Sequence, residues 1–111
     1  MSKSIIQEHT RQYERECFLC RIEAEKKGYY GELTPYGLHK HHFMHGTANR
    51  KKAEHFGLWA YVCEARHHEH GPEAPHANRE VDLFLKRIAQ EKFEEKYSHE
   101  DWMKEFGKNY L

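Results

Sequence analysis

The pair Cys17-Phe-Leu-Cys20 narrows the choice of fold more than any other feature of this sequence. A C-x-x-C turn brings two thiolates onto one ion. A third cysteine, Cys63, ends the apolar run LWAYVC, and His67 and His68 follow it closely. Three sulfurs and one imidazole nitrogen, from His67 or His68, suit tetrahedral zinc. The competing reading is that Cys17, Cys20 and Cys63 are small buried apolar residues. Three cysteines cannot all pair as disulfides, and in a reducing compartment such a motif favours metal. The staple matters because the chain is short: 111 residues, 38% apolar and 32% charged. A core of that size is marginal, and a structural metal is one of the usual remedies.

The rest of the chain reads as a single α+β domain over residues 17–111, preceded by a polar segment, 1–16. Residues 21–27 favour a short helical turn ended by Gly28. A short strand runs into His41 and His42. A polar loop carrying Asn49 follows, then a short helix from Lys51 to Phe56 stopped by Gly57. Leu58 to Cys63 is a second strand. The stretch from Glu64 to Ala77 reads as a loop or broken helix, given its two prolines and glycine. Asn78 is a candidate N-cap for a long helix to about Tyr97, with Val81, Phe84, Leu85, Ile88, Ala89 and Phe93 at helical spacing. Ser98 and Asp101 form a candidate capping box for a last helix carrying Trp102, Met103 and Phe106, closed by Gly107. Trp59, Phe84 and Phe93 are expected in the core. No secretory pattern and no apolar run of membrane-span length is present, so a cytoplasmic location with no membrane contact is expected.

Histidine is concentrated to an unusual degree. Nine of the eleven histidines lie between positions 39 and 76. Imidazole is both the commonest metal ligand and the side chain best suited to general-base work near neutral pH. Net charge is zero, with 18 basic and 18 acidic residues, yet residues 38–52 hold Lys40, Arg50, Lys51 and Lys52 and no acid. That segment can face an anion such as phosphate. His39, His45, His55 and His99 read as surface or structural residues.

The string HHFMHGTANR…GLWAYVC…HH…PHANREVDLFLKRIAQEKFEE…FGKNYL resembles the HNH (His-Me finger) nucleases. It resembles in particular small phage and prophage proteins related to the phage recombination-enhancement, RecA-dependent nuclease family. The resemblance covers roughly residues 17–111 and implies a zinc-stapled ββα-metal core with C-terminal helices. It implies a metal-dependent DNA endonuclease or nickase in a bacterial host, with a recombinase filament as a candidate partner. It also implies roles: His41 as metal ligand, His42 as general base, and Asn49 as the residue orienting the loop behind the base. His67 would complete structural zinc with Cys17, Cys20 and Cys63. His68 and His76 would join His41 at a catalytic Mg2+ or other divalent ion, and the last ligand stays open among His68, His70 and His76. The second knuckle departs from the family pattern, being C-x3-H rather than C-x-x-C.

The chemistry behind those roles is general. Hydrolysis of a phosphodiester needs a proton acceptor for the attacking water and charge stabilisation at the leaving oxygen. Arg50, Lys51 and Lys52 are placed to hold the DNA backbone, with a solvated helix face as the plainer alternative. Two rival readings accompany the nuclease. One is a zinc-containing module that binds DNA or protein without cutting. The other is a single metal site sharing these cysteines and histidines with no catalytic centre.

Overall fold

The computed structural model describes residues 3–7, 14–64 and 78–111. Among these residues the chain forms four helices and one two-stranded sheet, an α+β fold. The order is α1 (Phe18–Lys26), β1 (Leu38–His42), α2 (Thr47–Phe56), β2 (Trp59–Cys63), α3 (Arg79–Lys96) and α4 (His99–Phe106). The ββα-metal core that the resemblance implies is not shown among the described residues, and residues 65–77 lie outside them.

β1 and β2 pair antiparallel, with Leu38 opposite Cys63 at one end and His42 opposite Trp59 at the other. Successive strand residues point to opposite faces. His41, Ala60 and Val62 share the face turned into the core, where Ala60 and Val62 are fully buried. Lys40, His42, Trp59 and Tyr61 share the other face.

The outer edge of β2 is covered by the chain's own first residues. Ile5 N–H donates to the Gly57 carbonyl at 2.9 Å, and Gln7 Oε1 accepts from Tyr61 N–H at 2.9 Å. The Ser4 hydroxyl donates to the Trp59 carbonyl. An open strand edge is a template for unwanted pairing, and residues 3–7 occupy it. Ile6 is buried with the core, so this part of the polar leading segment is packed into the domain. The crossing is tight at Gly57, whose φ is +74° and where a Cβ would run into the Lys3 carbonyl oxygen. Glycine is required there on both counts.

Two helices begin earlier than the sequence suggested. α1 starts at Phe18, inside the cysteine knuckle, because Cys17 serves as its N-cap: Sγ accepts from Cys20 N–H at 3.3 Å. The expected turn followed by a helix from residue 21 is therefore one continuous helix. α2 starts at Thr47 rather than Lys51. Asn49 and Arg50 thus sit on a helix and not in a loop. Ala48, Arg50, Lys51, Lys52 and Ala53 are all good helix formers. With Ala53 as its only buried residue, α2 shows little apolar stripe to advertise its start.

The C-terminal half follows its sequence signals closely. Asn78 Oδ1 caps α3 by accepting from Glu80 and Val81 N–H at 3.0 and 3.2 Å. Leu85, Ala89 and Phe93 are fully buried. The Ser98–Asp101 capping box is formed in both directions, and Gly107 closes α4. Phe93 meets Phe56, Trp102 and Phe106 with ring centroids 5.1, 5.4 and 6.1 Å apart. Buried Gln90 ties the end of the chain down, donating to Asn109 at 2.7 Å and accepting from Tyr110 N–H at 2.6 Å. Phe84, expected in the core, is 41% exposed, and Met103 is 36% exposed. Each precedes or follows a fully buried neighbour, Leu85 or Trp102, and one residue turns a helix by about 100°. Trp59 and Phe93 are in the core as expected. None of the described helices is long and apolar enough to cross a membrane.

Candidate functional site

Cys17, Cys20 and Cys63 converge, with their sulfurs within 4.8 Å of one another. Two elements bring them there: α1, through its N-cap and first turn, and β2, through its last residue. The Cys20–Cys63 sulfur separation is 3.7 Å. That is far from a disulfide at about 2.05 Å. It matches the edge of a zinc tetrahedron, because ligands at about 2.3 Å from the ion stand roughly 3.8 Å apart. Burial pushes the Cys20 thiol well above its ordinary value, and the neighbouring Cys17 and Cys63 sulfurs push it further. Such crowding disfavours thiolates unless a cation joins them. The helix start supplies some help, since Cys17 Sγ accepts the Cys20 amide and lies at the positive end of α1. The donor set therefore fits a metal ion. His67, expected as the fourth ligand, lies outside the described residues, as do His68, His70 and His76.

The adjacent pair His41–His42 is split by the strand. His41 is 4% exposed and packs toward the core, with its ring 5.9 Å from Phe43 and 5.8 Å from His45. His45 Nε2 in turn donates to Asp82 Oδ1 on α3 at 2.5 Å, and Lys86 pairs with the same carboxylate at 2.8 Å. Burial raises the Asp82 carboxyl, but the hydrogen bonds from Lys86 and His45 outweigh it and hold the group below the usual carboxylate range. His45 is thus a structural link between the β1–α2 connection and α3.

His42 leaves on the opposite face. Its Nε2 donates to Glu54 Oε1 at 3.1 Å. Lys40, two residues earlier on the same strand face, donates to both Glu54 oxygens at 2.9 and 3.2 Å. The Lys40 ammonium also lies 3.9 Å from the Trp59 ring centre. Burial pushes the Glu54 carboxyl up, yet the bonds from Lys40 and His42, and their charges, bring it below its ordinary value.

His42, Glu54, Arg50 and Lys51 line one shallow pocket of about 320 Å³. Arg50, Lys51 and Glu54 share a helix face because residues three and four apart are neighbours on an α-helix. The pocket thus holds an imidazole held by a carboxylate, beside two exposed cations. Such a set can accept a proton and hold an anionic oxygen. Lys52, grouped with Arg50 and Lys51 in the sequence, is turned away: its ammonium donates to the Glu105 carbonyl at 2.6 Å and fastens α4 to α2. Asn49 is half-buried in the first turn of α2.

The sequence reading missed Glu54. The signal was available, since Glu54 lies four residues after Arg50, but it becomes visible only once α2 is seen to include Arg50. No family model, no curated protein and no solved structure matches the chain.

Proposed function

We propose that this protein is a DNA endonuclease or nickase of the HNH type, with a structural zinc at Cys17, Cys20 and Cys63. The observation that carries the reading is the pocket. His42, chosen from the sequence as a base, and Arg50 and Lys51, chosen as backbone contacts, come from different elements and line one cleft. In this reading Arg50 and Lys51 hold the phosphate oxygens, and His42 takes the proton of the attacking water. The zinc ties α1 to the end of β2 and so fixes the strand pair that carries His42.

The catalytic Mg2+ rests on the family resemblance. Among the described residues, the cysteines form the single group with metal-ligand geometry, and His41 and His42 lie on opposite strand faces. The expected partners His68 and His76 are outside the described residues, so no step is assigned through that ion. DNA is the proposed partner, and a recombinase filament remains a candidate for the additional surface a neutral chain needs.

The test is incubation of supercoiled plasmid with zinc-loaded protein in Mg2+ or Mn2+. Nicked or linear product is expected. Retarded but intact plasmid would replace this reading with the non-catalytic binding module.

A further inference from the structure

We infer that Glu54 is a positioning residue for His42, fixing the imidazole with its proton on Nε2 and its lone pair on Nδ1. The inference rests on the proposed nuclease reading for its catalytic consequence and on the geometry alone for the tautomer.

An ionised carboxylate can only accept hydrogen bonds, so its contact with His42 requires a proton on Nε2. A neutral imidazole then has one remaining basic atom, Nδ1. Glu54 is well placed to impose this. It is held by Lys40 through both oxygens, and Lys40 is itself seated on the Trp59 ring. Lys40 and His42 share a face of β1 because they are two residues apart, and α2 lays Glu54 against that face. Among the described residues, Glu54 is the hydrogen-bond partner of the His42 ring. The carboxylate is also held ionised, since the two donors outweigh its burial. A chain Trp59–Lys40–Glu54–His42 thus runs from the buried sheet to the pocket and orients a ring that would otherwise choose between two tautomers and several rotamers.

A plainer role for Glu54 is to neutralise Lys40. The two roles separate in three variants of the full-length, zinc-loaded chain. Glu54→Ala removes both contacts. Glu54→Gln keeps the size, but its neutral amide offers a donor as well as an acceptor and so no longer dictates the tautomer. Lys40→Met keeps the stem over Trp59 and leaves the His42–Glu54 contact in place. The readouts are side-chain 15N NMR of His42 at about pH 8, well above the ordinary imidazole value, and steady-state plasmid cleavage.

The wild type and Lys40→Met should show the Nε2–H tautomer. Glu54→Ala and Glu54→Gln should show a mixture. Their kcat should fall about tenfold or more with KM nearly unchanged, while Lys40→Met, which removes one anchor of Glu54 but leaves the His42 contact in place, should lose clearly less than either Glu54 variant. In catalytic triads, losing the carboxylate that fixes a tautomer costs up to about 10⁴-fold. An Nδ1–H tautomer in the wild type overturns the inference, as does an unchanged tautomer and kcat in both Glu54 variants. Equal losses in Lys40→Met and Glu54→Ala with His42 unchanged would assign Glu54 to the ion pair alone. If the wild type does not cut DNA, the nuclease reading falls, and the tautomer measurement still decides what Glu54 does to His42.

Discussion

The two ends of the β1–β2 pair are built on different principles. At one end, Leu38 faces Cys63, and Cys63 meets two cysteines from the start of α1. At the other end, His42 faces Trp59, and His42 meets Glu54, Arg50 and Lys51 from α2. The cysteine end draws on segments far apart in sequence and converges on a partly buried point. The imidazole end draws on neighbouring elements, lies on the surface and leaves room for another molecule. In the proposed reading one end holds the fold and the other carries the chemistry, with a five-residue strand between them.

That contrast is broken most directly by removing the proposed zinc. Structural zinc in small domains contributes on the order of 10 kcal/mol. Cys17→Ser, or a strong chelator, should release close to one equivalent of zinc and lower the melting temperature sharply. Unchanged metal content and an unchanged melting curve would mean that the cysteine end is ordinary packing.

The complementary change at the other end is His42→Ala. It should retain zinc and melt near wild type, because the ring packs at a surface pocket. Plasmid cleavage should fall by roughly 100- to 10,000-fold, the usual contribution of a general base. A loss of zinc or of fold in this variant would show that the two ends are not separable.

Smaller effects should sharpen the picture within the pocket. Arg50→Ala and Lys51→Ala should each weaken DNA binding and lower the salt dependence by about one phosphate contact, seen as a change in slope of roughly 0.9 in log K against log salt. Lys52→Ala should leave that slope alone and instead loosen α4, because Lys52 is bound to Glu105. Equal slopes for all three variants would return this helix face to simple solvation.

The smallest expected effect lies on the buried face, at the His45–Asp82 link. Folding lowers the Asp82 carboxyl relative to an unfolded value of about 3.9, with burial opposed and outweighed by Lys86 and His45. The folded state therefore binds this proton less readily than the unfolded state. Its stabilisation is present above the unfolded value and is lost as pH falls through the lower folded value. Asp82→Asn should flatten the acid limb of a melting-temperature profile below about pH 4 and leave cleavage at neutral pH unchanged. An acid limb identical to wild type would show that this link contributes nothing measurable.

Local signals were enough for the parts of this protein governed by local physics. Asn78, the Ser98–Asp101 box and Gly107 announced α3 and α4, because capping is settled within a few residues. The two strands were visible as apolar or alternating runs, and the cysteine spacing announced a cluster able to hold one ion. The start of α2 has no apolar stripe to mark it, and the start of α1 is hidden by a cysteine that serves as its N-cap, which is why both began earlier than expected and why Asn49 moved from loop to helix. Phe84 and Met103 show the same boundary from the other side: apolar identity marks a candidate for the core, but the angle around the helix decides exposure.

What only the tertiary structure decided are the pairings between elements. His41 and His42 are adjacent in sequence, and strand geometry sends them to opposite faces, one against Phe43 and His45 and the other toward Glu54. Arg50, Lys51 and Lys52 form one basic run, and the docking of α4 takes Lys52 out of it. The sequence by itself determined which residue types were available for zinc, base and phosphate contacts, because chemistry belongs to the side chain. The fold determined which of them meet, because contact between distant residues depends on register, helix phase and packing that no single segment contains.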